Sequence, residues 1–358
     1  MHIIDHRQII FAREFRGLSQ TDLSNRIDGL SQSNLSKFEK GLSVLSEEVL
    51  NKIINELDFP VSFFQKKIYN PIENVHFRKR SGMPKKYELA LTRELKLYGY
   101  IIDSLSESIE WPEFKLRGFD LEEYSISSVA KKIRSVFLLK DDEPVTNIYN
   151  LLERNGIIII EHDASEKFDG VSFVSDKGYK LIILNKNFSN DRKRFTLSHE
   201  LGHLLLHIID NPILPLYRED KKESEANEFA SSFLMPRDVI IDSLYNLTLR
   251  NLAELKRYWQ TSMASILRRA KDLNCISPER YQYLNIELSR HGYKTQEPIE
   301  VTIDGPKLYK KAVQLFRESF NYDEKDFAAD FSLPRDITEK FLFQKAKVSQ
   351  QNKLRVIL

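Results

Sequence analysis

Phe195-Thr196-Leu197-Ser198-His199-Glu200-Leu201-Gly202-His203-Leu204-Leu205-Leu206-His207 reads as one helix. Leu197, Leu201, Leu204 and Leu205 recur at helical spacing and turn one side of it to a core. His199 and His203 stand four apart, about 6 Å along the helix axis and on one face. Both imidazoles therefore reach a single divalent ion such as Zn2+. Two polar rings on the inner edge of an apolar helix need a partner, which favours an ion over simple core histidines. Glu200, beside them, is turned far enough to hold an attacking water rather than the ion and to act as general base.

A zinc site that performs chemistry needs a third protein ligand and an open fourth position. Downstream, Ala226, Phe229, Ala230, Phe233 and Leu234 mark the buried side of another helix. At about 100° per residue, Glu223 falls nearer the centre of that side than Glu225 does. Glu223 is the expected ligand and Glu225 the alternative. Asn227, four residues after Glu223, shares its side and is expected to orient it. His207, one turn beyond His203, is read as helix C-terminal charge or packing.

Working upstream, Ile157 to Ile160 is β-branched throughout and too short for a helix, so it reads as a buried strand. Two further strands are expected near Gly170 to Val174 and Tyr179 to Leu184, joined by the turn Asp176-Lys177-Gly178. A helix from Ser127, and a second through Ile148, Leu151 and Leu152 that Asn155-Gly156 ends, precede them. The fold class is therefore mainly α with a small sheet, α+β. Its parts are an N-terminal five-helix bundle over residues 1–65, a basic linker with a long helix over 66–124, the histidine-bearing domain over 125–290 and a C-terminal helical module over 291–358.

At the N-terminus, Ile9, Phe11, Ala12, Phe15 and Leu18 make a first amphipathic helix that Gly17 stops. Ser19 and Ser31 each read as the N-cap of a short helix, with Gly29 and Leu30 in the turn between. Two helices joined by a tight glycine-containing turn form a helix-turn-helix. Residues 1–64 carry seven basic and nine acidic side chains, too little positive charge for one copy to hold DNA strongly, because phosphate neutralisation supplies much of the affinity. A homodimer, or the basic stretch after the bundle, is expected to help. Between Gln65 and Tyr100, nine basic residues face three acidic ones. The stripe Leu91, Leu95, Tyr98, Ile102 and Leu105 packs on a neighbouring domain or a dimer mate.

The bulk composition excludes several classes. With 358 residues, 41% of them hydrophobic, the chain can build two or three cores and is not disordered. Its one cysteine, Cys275, reads as a small core residue and fits a reducing cytoplasm. No leader is legible at the N-terminus, and no apolar run approaches the roughly 20 residues that cross a bilayer. A cytoplasmic protein with no membrane partner is expected. Near the C-terminus Phe327, Ala328, Phe331, Ile337 and Phe341 fall at helix-turn-helix spacing without a basic face, which reads as a protein-contact module.

Two resemblances join these readings. The stretch LSQTDLSNRIDGLSQSNLSKFEKG (18–41), followed by LDFPVSFF (57–64), resembles the phage-repressor-like, or XRE, helix-turn-helix family over residues 6–64. It implies double-stranded DNA as a partner, with Gln20 on the phosphate backbone and Gln32, Ser33, Asn34, Ser36 and Lys37 projecting toward base edges and phosphates. RFTLSHELGHLLLH (194–207) and ESEANEFASSFLMP (223–236), with NIYNLLERNGIIII and LIILNKN upstream, resemble the ImmA/IrrE family of gluzincin-like zinc peptidases over about residues 127–275. That resemblance implies His199, His203 and Glu223 as zinc ligands and Glu200 as the catalytic residue. It also implies limited cleavage of a helix-turn-helix repressor. The combined expectation is a DNA-bound regulator whose peptidase cuts a repressor or antitoxin-like protein, or itself. The alternative is a repressor or antitoxin whose peptidase fold binds a partner or senses a signal without turnover.

Overall fold

The computed structural model describes residues 4–66, 68, 84–209 and 219–343, and these divide into two compact units. The first draws on residues up to 70, on 84–109 and on the chain from 310 onward; residues 110–309 belong to the second. No described helix is long and apolar enough to cross a membrane.

The first unit opens with α1 (His6–Phe15), α2 (Gln20–Ser24), α3 (Gln32–Glu39) and α4 (Glu47–Leu57). Each begins on a side-chain cap. Asp5, Ser19, Ser31 and Ser46 accept from backbone N–H groups of the first turn that would otherwise lack a partner. A 3-10 turn at Val61–Gln65 closes the bundle, and Phe11, Leu35, Ile53, Leu57, Phe63 and Phe64 fill its core. The long α5 (Lys85–Leu105) buries Leu95, Tyr98, Ile102 and Leu105. Its Arg93 pairs with Glu14 of α1 at 2.8 Å and lies over the Phe11 ring. The stripe expected on α5 is thus packed within this unit.

In the second unit α6 (Ile126–Val136) and α7 (Ile148–Arg154) precede β1 (Ile157–His162), β2 (Gly170–Val174) and β3 (Lys180–Asn185). The sheet order is β1-β3-β2, with β1 parallel and β2 antiparallel to β3. β1 is buried from Ile157 to Ile160, which is why it reads as a continuous apolar run. Next come α8 (Asn190–His203), a wider π-type turn at Leu204–Ile208, α9 (Glu219–Leu234), and then α10 (Arg237–Ile240), α11 (Leu249–Trp259), α12 (Met263–Asp272) and α13 (Pro278–Arg290). Leu197, Leu201, Leu204 and Leu205 share one core with Ile157, Ile159, Ile182, Leu184, Phe229 and Phe233.

The start of α8 is anchored by buried charge. The Arg194 guanidinium donates to the carbonyls of Val145, Thr146 and Thr302. Lys256 joins Asp191 at 2.8 Å to Glu297 at 2.7 Å. Residues 296–306 form neither helix nor strand, and Val301 and Thr302 are fastened to the beginning of this helix through Asn190 and Arg194. Cys275 is buried.

α14 (Leu308–Phe320), α15 (Glu324–Asp330) and α16 (Arg335–Leu342) end the described chain, and from Lys310 onward they belong to the first unit. Phe341 lies 4.6 Å from the Tyr98 ring and 6.3 Å from Phe15. Arg16 pairs with Asp336 at 2.6 Å, Lys340 with Glu94 at 2.6 Å, and the Tyr100 hydroxyl donates to the Phe331 carbonyl at 2.8 Å. Of the apolar positions read as a protein-contact module, Phe341 packs on α1 and α5, while Phe327 and Phe331 pack with Phe316 of α14.

Candidate metal centre

α8 is enclosed on most sides, so its polar residues are placed by packing. His199, Glu200 and His203 are all buried. Gly202 lets α9 approach: a Cβ there would stand 3.2 Å from the Ala226 Cα and 3.1 Å from the Phe229 ring. The close crossing brings the first turns of α9, with Glu223, opposite the two histidines. Gly202→Ala is expected to cost about 1–3 kcal/mol through overpacking, read by urea denaturation, and to weaken ion uptake as the helices part.

The side chains converge closely. The Nε2 atoms of His199 and His203 are 3.0 Å apart, and Glu223 sets Oε1 3.1 Å from His203 Nε2 and Oε2 3.5 Å from His199 Nε2. Among the described residues this is the group of three that could hold a metal ion. Donors about 2.0–2.2 Å from a tetrahedral zinc ion stand roughly 3.3–3.5 Å from each other, so the spacing suits such an ion. The donor chemistry suits it too. The Asn227 amide oxygen lies 3.1 Å from His199 Nδ1 and can only accept, so the ring proton sits on Nδ1. His199 Nε2 is then a bare lone pair aimed at His203 Nε2 and a carboxylate, an arrangement that a cation satisfies.

The wheel ordering of the two glutamates is inverted in burial. Glu225 is the more enclosed, and it faces His207 Nε2 at 2.9 Å, whereas Glu223 remains partly exposed beside the two Nε2 atoms. A ligand at the mouth of an open site keeps one side to solvent, and helical periodicity does not register that. His207, read from sequence as helix-end charge or packing, is hydrogen-bonded instead, with its Nδ1 3.1 Å from His203 Nδ1. Asn227 orients His199 rather than Glu223, the group it was expected to orient.

Glu200 accepts a hydrogen bond from Ser172 Oγ on β2 at 2.8 Å. Burial pushes its carboxyl up to about 7, although His203 and the Ser172 hydrogen bond pull the other way. Burial also acts to raise Glu223, but the hydrogen bonds with His199 and His203 outweigh it and hold that carboxyl well below the usual range. His207 is pushed down to about 4, mainly by burial, with Glu225 opposing. Two carboxyls of one site are thus driven apart, one toward a proton carrier and one toward a fixed anion. β2 reaches Glu200 because residue 170 is glycine: a Cβ there would lie 2.8 Å from Thr196 Cγ2 and 3.3 Å from Glu200 Oε1. Neither Ser172 nor Gly170 emerged from the sequence. The one hint is a serine in the middle of the apolar strand GVSFV.

In the first unit Gln32, Ser33, Asn34 and Lys37 are exposed on α3 and Ser36 is half-buried. Gln20 lies behind them: its amide donates to Glu39 at 2.6 Å and accepts from Gln32 Nε2 at 2.8 Å. Glu39 in turn takes a buried bidentate contact from Arg13 at 2.6 and 2.9 Å. Of the basic stretch after the bundle, Lys67, Arg78, Lys79 and Arg80 lie outside the described residues. Lys86 and Arg93 pair with Asp22 and Glu14.

Comparison with known proteins bears on both units. Residues 152–271 match the peptidase family described as the IrrE N-terminal-like domain, and residues 9–64 match a helix-turn-helix family. An uncharacterized immunity region protein 2 of Bacillus phage phi105 is 35% identical over 99 residues, 26% of this chain and 62% of that protein. The radiation response metalloprotease IrrE of Deinococcus deserti is 35% identical over 101 residues, 26% of this chain and 36% of that protein. Its counterpart from Deinococcus radiodurans is 33% identical over 101 residues, 26% of this chain and 31% of that protein. Each match thus covers less than two thirds of the relative.

Proposed function

We propose that this chain, which joins a helix-turn-helix domain at residues 9–64 to an IrrE-type peptidase-family domain at residues 152–271, is a DNA-binding regulator whose zinc-dependent endopeptidase cleaves a repressor or antitoxin-like protein, or itself. The observation that carries this reading is the meeting of His199, His203 and Glu223 within 4.8 Å, with the buried carboxyl of Glu200 next in the chain to His199. His199 and His203 would hold the ion through Nε2, and Glu223 through its carboxylate. A zinc ion held there supplies Lewis acidity that polarises a scissile carbonyl and makes water a competent nucleophile near neutral pH.

The rest of the work falls to the chain's own groups. Glu200 takes the proton from the attacking water and delivers it to the leaving amine nitrogen, a role that suits a carboxyl raised toward neutrality. Ser172 holds that carboxyl in orientation. Asn227 fixes the His199 ring. β2 is an edge strand of the sheet and carries Gly170 and Ser172 beside Glu200. A substrate segment extended along that edge would gain backbone hydrogen bonds. Elemental analysis of the purified chain tests the site. One zinc per chain is expected, lost in Glu223→Ala; a metal-free wild type would refute it.

For DNA, the exposed face of α3 supports the major-groove role of Gln32, Ser33, Asn34, Ser36 and Lys37, with Gln20 bracing Gln32 while meeting the phosphate backbone. A dimer compensates for the low positive charge of residues 1–64. Asn34→Ala is expected to cost about 1–3 kcal/mol of sequence-specific affinity and to leave non-specific binding and its salt dependence nearly unchanged. Mobility shifts on an operator and on unrelated DNA across salt would check it.

A further inference from the structure

We propose that His207 and Glu225 form an outer hydrogen-bonded chain that positions His203 for the ion and strengthens it as a donor. The inference rests on the metal-centre reading above and extends it to two residues behind the ligands. His207 sits in the π-type turn that follows α8, where Ile209 N–H bonds the Leu204 carbonyl at 2.9 Å. The wider turn continues the helix one step past His203 and keeps His207 on the side facing α9. Both side chains are enclosed, His207 with 5% and Glu225 with 10% exposure.

The protons in this chain can be assigned from geometry. His203 Nε2 points at His199 Nε2 and Glu223, so as an ion ligand it is bare and the His203 proton sits on Nδ1. That Nδ1–H donates to His207 Nδ1 at 3.1 Å. His207 therefore carries its proton on Nε2 and donates it to Glu225 Oε2 at 2.9 Å. A ligand histidine whose outer N–H is bonded, and whose partner in turn leans on a carboxylate, is locked in orientation and made more basic. The two ligand histidines differ here: an amide backs His199, while a ring and a carboxylate back His203. Glu223 and Glu225, two positions apart on α9, divide the three histidines: Glu223 meets His199 and His203 on α8, and Glu225 meets His207 in the turn that follows.

The test uses the full chain with zinc alone as probe. Zinc affinity is measured by chelator competition for wild type, His207→Leu, His207→Gln and Glu225→Gln, and the ring tautomers are read by 1H–15N correlation on the zinc-loaded wild type. His207→Leu is expected to bind zinc roughly 10- to 100-fold more weakly. His207→Gln restores most of that loss, because its oxygen accepts from His203 and its amide donates to Glu225, and Glu225→Gln falls between. The ring of His207 is expected to be protonated at Nε2, and those of His199 and His203 at Nδ1. Wild type that takes up no zinc would overturn the metal-centre reading and this inference together. Wild-type affinity in His207→Leu, or a His207 ring protonated at Nδ1, would overturn this inference alone. If His207→Leu does not fold, the wild-type tautomers and the two glutamine variants still decide.

Discussion

Glu200→Gln is expected to slow peptide cleavage by roughly 10²–10⁴-fold while leaving zinc uptake unchanged. Glutamine has nearly the same shape, and its carbonyl oxygen can still accept from Ser172 Oγ, which lies 2.8 Å from the native carboxyl. It cannot accept and return a proton. Burial without full ionic compensation raises the Glu200 carboxyl toward 7, so removing its charge relieves a desolvation cost and should not destabilise the domain. The ligand atoms of His199, His203 and Glu223 are untouched. The measurement compares new protein N-termini in cells expressing wild type and variant, alongside zinc content. If the variant regulates as wild type does, turnover is not the function, and the peptidase fold acts by binding a partner.

Glu39→Ala is expected to destabilise the first unit by about 3–5 kcal/mol. Arg13 is buried and donates to Glu39 through both Nε and Nη2, at 2.6 and 2.9 Å. Removing the carboxylate takes away the bidentate counter-charge of the guanidinium and leaves it the Leu18 carbonyl at 2.7 Å and the Glu14 carboxylate at 3.6 Å, which Arg93 already shares. Gln20 also loses an acceptor, and through it the brace on Gln32 at the start of α3. Domains are stable by only about 5–15 kcal/mol, so the loss is a large share and operator binding should fall with it. Chemical denaturation followed by circular dichroism measures the effect. The double replacement Arg13→Met with Glu39→Leu should be less harmful than Glu39→Ala, because no unpaired charge is left inside.

Much of the fold was legible because its signals are local. The serines at helix starts, the isoleucine run of β1 and the turn before β3 act within a few residues of themselves. The histidine pair belongs to the same class, since four residues of helix put both rings on one face whatever surrounds them. The C-terminal module was legible as helical, with the helix-turn-helix spacing of residues 327–341, but its seat was not. Phe341 rests on Tyr98 and Phe15, contacts across more than two hundred residues that no periodicity encodes. Asp336 and Lys340 likewise look like ordinary surface charges until Arg16 and Glu94 are found opposite them.

The sequence by itself determined the helices, the strands and the i, i+4 imidazole pair with its neighbouring carboxylate, because backbone geometry converts spacing directly into a shared face. Only the tertiary structure decided that Ser172 meets Glu200, that Glu225, the alternative to Glu223, serves His207 instead, and that the chain's end completes the first unit. Those outcomes depend on how closely α9 can cross α8 at Gly202 and how near β2 can pass at Gly170. Such distances are set by the packing of whole elements, which no single segment contains.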